Sequence, residues 1–419
     1  MLPLSALSVS DLDPALPELW HCLDRTAVTA RLERLWRTIE GQRLAITRIE
    51  RRHTTFEPGV RCVATWELSG ERPGEPPLHT IGVVEVNPQG TVERLYRDDS
   101  ALRGLAVATD ADEMARRLAA LPELTVPGPC ACNVFPVRYK PGQSCVLRYE
   151  LTTAPGELAL YGKVTTAAAE LFATLTAVHE TSLGQVSMPR VAKPVAVLAD
   201  LGLVLQEEVA GETLGARLFL PESDDRAAVE LMQAAGSSVA AFNALVTAPG
   251  PRRTIEDDLG EIQGYEVLFD RLLPALAPRF AGVLDTIASI SARLAEPAPV
   301  ASHGALRTDQ LLVGADGIVA LDLDGFCWSA PARDAGNLLA YLDWRAIRRP
   351  SDAARIHAAA RAFLAGYGSA GFAPGEPWLR LWRALSMLKI AGRRLRGLRL
   401  EEWPLLPRLL QAAADLVSG

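Results

Sequence analysis

The strongest constraint on the fold is a segment that the chain uses twice. Residues 56–68 align with residues 139–151 at a constant offset of 83, with six identities and two aromatic exchanges in thirteen positions. Each copy carries a Pro-Gly step, Pro58-Gly59 and Pro141-Gly142, between runs rich in Val, Tyr, Trp and Thr, the pattern of a β-hairpin. Upstream, Asp13-Pro14-Ala15-Leu16-Pro17-Glu18-Leu19 resembles Asp99-Ser100-Ala101-Leu102-Arg103-Gly104-Leu105, and helical spacing follows each, at Val28, Leu32 and Leu35 and at Met114, Leu118 and Leu121. The repeated unit therefore reads as helix, strand, tight turn, strand.

The second copy continues into a third strand over 158–164 and a helix over 166–180. Two more strand-like runs follow, over 190–198 and 203–209, giving a small antiparallel sheet with one inserted helix. From Ser223 the periodicity is helical, through Val229, Met232, Val239, Phe242 and Leu245 and then over 265–294, 353–363, 378–398 and 405–416. Only residues 301–337 interrupt it, with short strands over 311–313 and 318–321 around Gly314-Ala315-Asp316-Gly317. The expected divisions are 1–95 for the duplicate, 96–210 for the sheet and 211–419 for the helical part.

Composition narrows the class. A chain of 419 residues, 49% hydrophobic and 22% charged, supports two or three globular domains. No run of about eighteen apolar residues is present, and Met1-Leu2-Pro3-Leu4-Ser5 lacks a basic, then apolar, leader pattern, so a cytoplasmic protein with no membrane partner is expected. Six cysteines, Cys22, Cys62, Cys130, Cys132, Cys145 and Cys327, have neither disulfide-framework nor zinc-site spacing, which points to reduced, mostly buried thiols. A net charge of -7 and a pI near 5.6 argue against a nucleic-acid partner.

The chemistry-bearing stretch is His303-Gly304-Ala305-Leu306-Arg307-Thr308-Asp309-Gln310, followed by Asp322-Leu323-Asp324. In phosphoryl transfer, a loop Asp receives the acceptor hydroxyl's proton, an amide side chain five positions later holds a metal ion, and an Asp beyond a hairpin holds the metal too. Those posts read Ala305, Gln310 and Asp322. Gln310 offers the amide oxygen that Mg²⁺ accepts, whereas Ala305 has no titratable group.

From Cys130 to the C-terminus the chain resembles the aminoglycoside phosphotransferase and choline kinase superfamily. That family shows His-Gly-Asp, then Asn or Gln, Ile-Asp-Phe-Asp, Gly-Asp-Pro and a helix-opening Asp. Here the order is His303-Gly304-Ala305, Gln310, Leu321-Asp322-Leu323-Asp324, Ser329-Ala330-Pro331 and Asp334, with departures at Ala305 and Ala330. The resemblance implies an α+β, two-lobed protein-kinase-like fold, with an antiparallel five-stranded N-lobe, a mostly helical C-lobe and an extra N-terminal helix-hairpin duplicate. It implies ATP and Mg²⁺ as cofactors, with Lys163 reaching the phosphates, Glu170 as its ion-pair partner and Glu180 as a rival. Gly142, Gln143 and Ser144 would form the turn over the phosphates, where backbone N–H groups can bond anionic oxygens. Gln206, Glu207 and Glu208 would form the hinge facing adenine. Gln310, Asp322 and, with equal weight as a solvated carboxylate, Asp324 would be metal ligands. His303 would brace the loop, and Asp334 would be a structural acceptor or N-cap.

The repeat serves as an internal control. By sequence, the counterpart of Lys163 is Val83, after Ile81-Gly82, and the first turn reads Glu57-Pro58-Gly59-Val60, a poor phosphate site. The first copy is thus expected to be structural, packed beside the nucleotide lobe or forming a homodimer contact. Arg380, Arg383, Lys389, Arg393, Arg394, Arg396 and Arg399 form a basic run, read as a solvated face or as an acceptor-site lining suited to an anion and not to an aminoglycoside.

Two functions stay open on the sequence alone. One is a Mg-ATP-binding pseudokinase, since a positioned base contributes ~10²–10⁴ in rate. The other is an active phosphotransferase on a small hydroxylated acceptor, with Asp309 or Asp324 as substitute base, because a loose transition state needs little deprotonation. Transfer of the AMP part of the nucleotide, and a pure protein-interaction role, remain further readings.

Overall fold

The computed structural model describes residues 12–74, 76–124, 130–153, 156–219, 224–315, 317–369 and 375–418; Met1 to Ser5, Ser223 and Asp316 lie outside these ranges. The chain divides into two compact units. The first holds the described residues up to Phe172 with Pro194–Glu208 and Arg396–Leu398, and the second holds Ala173–Lys193, Val209–Leu395 and the described residues from Arg399.

In the first unit, helix α1 (Arg25–Glu40) is capped by Asp24, whose carboxylate accepts from Ala27 N–H at 2.7 Å, and ends at Gly41 in the left-handed conformation. It buries Val28, Leu32 and Trp36, so a Trp takes the third apolar position where Leu35 was expected. The sheet that follows has four strands in sequential order, β1 (Ala45–Glu57), β2 (Arg61–Glu71), β3 (Leu78–Asn87) and β4 (Gly90–Leu95). After helix α2 (Ala111–Ala119), which buries Met114 and Leu118, comes the five-stranded sheet of β5 (Ala131–Lys140), β6 (Ser144–Thr153), β7 (Gly156–Thr165), β8 (Pro194–Leu198) and β9 (Leu203–Glu207). Its order is β5-β6-β7-β9-β8, with helix α3 (Ala168–Ser182) inserted after the third strand.

The duplication is structural as well as textual. Phe56 faces Cys62 and Glu57 faces Arg61 in the first hairpin; Tyr139 faces Cys145 and Lys140 faces Ser144 in the second. Both turns are tied down by a buried aspartate. Asp13 accepts from Ala15 N–H at 3.1 Å and from Gly59 N–H at 2.6 Å; Asp99 accepts from Ala101 N–H at 3.0 Å and from Gly142 N–H at 2.7 Å. A second tie recurs at matching positions, Trp66 Nε1 donating to Cys22 O at 3.1 Å and Tyr149 Oη donating to Ala108 O at 2.9 Å. One core serves both copies: Val63, Ile81 and Val83 cluster with Leu105, Met114, Tyr139, Leu147 and Tyr149.

The register corrects the sequence alignment of the third strands. Lys163 lies opposite Val146, whose counterpart Val63 faces Glu85, so Glu85 and not Val83 occupies the equivalent of Lys163. The connection before β7 is shorter than the one before β3, and a gap in a turn is invisible to an ungapped match. The conclusion drawn from Val83 becomes stronger, because Glu85 is a carboxylate held by Arg94 at 3.3 Å.

The second unit is mainly helical, with α4 (Asp225–Leu245), α5 (Ile255–Gln263), α6 (Glu266–Leu272), α7 (Ala277–Ser291), α8 (Ala332–Arg348), α9 (Ala353–Ser369), α10 (Glu376–Arg396) and α11 (Leu406–Val417). The helical run expected over 265–294 is divided into α6 and α7. Pro274 has no N–H to continue α6 and pushes Leu273 out of the helical region, to φ -140° and ψ 61°. Strands β10 (Val300–Ser302), β11 (Leu311–Gly314), β12 (Gly317–Ala320) and β13 (Cys327–Ser329) carry the 301–337 region. No helix among the described residues is long and apolar enough to cross a membrane, and all six cysteines are free.

Replacing Asp99 by Ala should lower stability by roughly 2–3 kcal/mol, because buried donors on Gly142 and Tyr139 lose their acceptor. Burial pushes the Asp99 carboxyl up, yet hydrogen bonds from Tyr139, Gly142 and Ala101 outweigh it and hold it below its usual value. A depressed folded-state pKa gives stability that is complete above the unfolded value and lost as pH falls through the folded one. The gap in melting temperature between wild type and Asp99→Asn should therefore be constant at neutral pH and close below about pH 4.

Candidate functional site

Two loops form the centre of the second unit. Residues 303–310 run from β10 to β11 and residues 321–326 from β12 to β13. Ser302 pairs with Cys327 and Leu311 with Ala320, so the loops part and rejoin at the same places. Leu321 N–H donates to Gln310 O at 2.9 Å. Gly304, at φ 79°, lies so close to the second loop that a Cβ there would stand 1.8 Å from Gly325 O, so no other residue fits without moving the backbone.

Asp334 fixes this crossing. Its Oδ2 accepts from His303 N–H at 2.7 Å and its Oδ1 from Gly304 N–H at 2.9 Å, with the residue 1% exposed. Asn243 Nδ2 donates to Asp334 Oδ2 at 3.3 Å and to Ala301 O at 2.5 Å, and Tyr367 Oη donates to Asn243 Oδ1 at 2.6 Å. Burial pushes the Tyr367 phenol up, which keeps it a donor. Asp334 is not an N-cap: α8 begins at Ala332 with Pro331 at the cap, and the carboxylate serves the loop instead. Asn243 and Tyr367 escaped sequence reasoning. The available signal was a polar residue on the apolar face of α4, beside Val239 and Phe242.

His303 is buried, and its Nε2 lies 2.8 Å from Leu321 O. A carbonyl only accepts, so Nε2 carries the proton and the ring braces the two loops. Ala305 is half-buried beside Gly325, 3.5 Å from where a Cβ on that glycine would stand. Gln310 is 5% exposed, and its Oε1 is buried with no hydrogen-bond partner among the described residues. An orphaned amide oxygen is the donor chemistry a hard cation takes. Asp322 adopts the left-handed conformation, φ 59° and ψ 57°, a strained state for a non-glycine residue. Asp324 is exposed on the next turn. Asp309 is exposed and packs toward helix Leu214–Leu218, its Oδ1 lying 2.5 Å from where a Cβ on Gly215 would be. Among the described residues no three His, Cys, Asp or Glu side chains are grouped to hold a metal, so Gln310 and the phosphates of a ligand would have to complete any coordination shell.

Of the remaining expected site residues, all but Glu180 belong to the first unit, and Glu180 falls in the second. Lys163 is half-buried on β7, between Val146 and Val204 on its neighbours. Glu170 lies in the first turn of α3, and Glu180 lies exposed in its last. Gln206 and Glu207 end β9, while Glu208 binds Arg148 Nε at 2.8 Å. The Pro141-Gly142 turn does not present free amides. Gly142 N–H is bonded to Asp99, Gln143 N–H donates to Lys140 O at 3.0 Å, and Ser144 is buried opposite Lys140. This corrects the expected phosphate cradle: the donors are taken, and one acceptor is an anion. The basic run of α10 is only in part a solvated face: Arg393 and Arg396 are exposed, while four others are engaged. Arg383 binds Asp343 through two bonds of 2.6 Å, Lys389 binds Glu261 at 3.0 Å, Arg394 binds Glu402 at 3.2 Å and Arg380 donates to Leu416 O at 2.8 Å.

These features define a protein-kinase-like fold with a small-molecule-kinase loop. Residues 108–382 match the family model of the phosphotransferase enzyme family, and the chain belongs to that family. Among solved structures it is similar to an aminoglycoside phosphotransferase-type protein from Ralstonia eutropha, with 15% identity over 73% of this chain and 97% of that one and a TM-score of 0.51. A spectinomycin phosphotransferase solved with ADP and spectinomycin gives 11% identity, 73% and 98% coverage and a TM-score of 0.49. A choline/ethanolamine kinase family protein from Mesorhizobium loti gives 17% identity, 73% and 99% coverage and a TM-score of 0.44. No curated protein matches the chain.

Asp334→Asn should cost roughly 1–3 kcal/mol, because its NH₂ must face one of two buried N–H donors. Hydrogen exchange should show the loss concentrated at the His303 and Gly304 amides.

Proposed function

We propose that the chain binds Mg-ATP and that its phosphotransferase activity is crippled at the acceptor-activating step. The observation that carries this reading is Ala305 in a loop whose supports are intact: Asp334 still holds the His303 and Gly304 amides, and Gln310 still offers an unengaged oxygen. A structural role alone gives no reason for a buried, unsatisfied amide, which costs about 1–3 kcal/mol, or for a left-handed Asp322. Both are accounted for if Gln310 and Asp322 hold Mg²⁺ and Lys163 meets the phosphates. The ion would supply charge neutralisation, and the residues around it would supply position. Asp309 is the poorer substitute base, since its carboxylate is turned onto Gly215; exposed Asp324 is the better one.

Calorimetric titration of Mg-ATP, with phosphate release followed in the same samples, tests the proposal. Binding should be present in wild type, weakened roughly tenfold or more in Lys163→Ala, and accompanied by little turnover. Ala305→Asp should raise turnover by up to ~10²–10⁴ without changing affinity. Absence of binding would sink the reading; turnover in wild type would overturn the crippled step and make Asp324→Asn decisive. Gln310→Leu separates function from structure. Removing an unsatisfied buried oxygen should leave the melting temperature equal or higher, while the Mg²⁺-dependent part of ATP affinity is lost.

A further inference from the structure

Beside Gly304, the faces of α5, α8 and α10 enclose a cleft of unbalanced charge. Arg333, Asn337 and Tyr341 follow one another at helical spacing along α8, as Ser386, Lys389 and Arg393 do along α10. Its inner end is filled. Asp258 of α5 is paired with Arg333, Arg253 lies 3.2 Å from the same carboxylate, and Lys389 lies 3.0 Å from Glu261. What remains there is a cavity of about 20 Å³, room for a water and not for a substrate.

The mouth differs. Arg393 Nη1 donates to Tyr341 Oη at 3.2 Å, and the Arg307 guanidinium lies 5.2 Å from the centre of the same ring. Neither arginine has a carboxylate partner among the described residues, and Arg307 Nε is buried without an acceptor. Two cations on one phenol repel each other unless an anion joins them. Burial pushes the Tyr341 phenol up, yet Arg393 and Arg307 outweigh it and hold it below its ordinary value, as their positions beside the ring require. Arg307 stands two residues from Ala305, and Asn337 Nδ2 secures the intervening Leu306 O at 2.7 Å, so this field is anchored to the loop.

We infer that the cluster of Arg307, Tyr341 and Arg393 forms the mouth of this cleft and binds a small molecule through an oxyanion group, phosphate or carboxylate, held between Arg307 and Arg393. That the molecule is the acceptor rests on the preceding reading; that it is anionic does not. The arrangement discriminates against polycationic acceptors, because their charges would meet two guanidinium groups with no carboxylate in contact among the described residues.

The full chain titrated with glycerol 3-phosphate, glycerate and glycerol tests this. At least one anion should bind roughly tenfold or more tightly than glycerol, and the two anionic arms tell phosphate from carboxylate. Arg393→Gln and Arg307→Gln should each weaken that anion by a similar factor while leaving Mg-ATP affinity unchanged. Arg396→Gln, exposed on the same helix, should change nothing. Equal binding of glycerol, absence of anion binding, or an Arg396→Gln loss as large as that of Arg393→Gln would overturn the inference. If Mg-ATP gives no heat but the anion still depends on both arginines, the nucleotide reading fails and this one stands; the opposite pattern removes this one alone.

Discussion

The Asp334 carboxylate is the interaction on which the second unit's centre depends. One buried group supplies acceptors for two consecutive loop amides, at His303 and at the left-handed Gly304. Once those amides are fixed, Gly304 sits on Gly325 O, His303 reaches Leu321 O, and Gln310 O receives Leu321 N–H. Each of these contacts involves backbone on at least one side. Changing the side chain at position 305 would therefore leave these contacts standing, since none of them uses it. Frame and chemistry are separable in this chain because they use different atoms.

The first unit relies on the same device. Asp13 and Asp99 each answer a turn glycine from a helix-side segment, and Trp66 and Tyr149 each reach back to a carbonyl of that segment. The duplicate thus preserves a way of fastening a hairpin to the chain before it, while its charges diverge. Lys163 in one copy is matched by Glu85 in the other, and a site that meets phosphate does not tolerate that exchange.

Much of this was legible in the sequence. Pro-Gly turns between alternating runs fixed both hairpin registers, and the ordered motif from His303 to Asp334 located the two loops. Pro274 was visible, and a reading that gave it full weight would have ended α6 there. The third-strand match was misplaced because a turn-length difference shifts register without changing composition. The aspartate ties were hidden for another reason: the aligned Asp13 and Asp99 could be seen to recur, but a side chain bonding an amide some forty residues away leaves no local pattern. The basic run of α10 misled in the same way, since the carboxylates that neutralise Asp343-, Glu261- and Glu402-facing cations sit on other segments.

Taken together, the charges argue for a division of labour at the proposed site. With Gly142 N–H and Gln143 N–H engaged, the Pro141-Gly142 turn offers nucleotide phosphates no free amide there, and Asp99 behind it is itself a carboxylate. Neutralisation of a triphosphate would then fall on Lys163 and on a divalent ion, so binding should be more metal-dependent than in a chain whose turn amides are free. Gln310 suits that demand, because a neutral ligand leaves the ion more of its positive charge than a carboxylate would. In the second unit, Arg307 and Arg393 add positive charge two or more residues from Ala305, on the loop and on α10. A cationic field there would lower the pKa of a nearby hydroxyl, a contribution to acceptor activation that does not depend on the side chain at position 305.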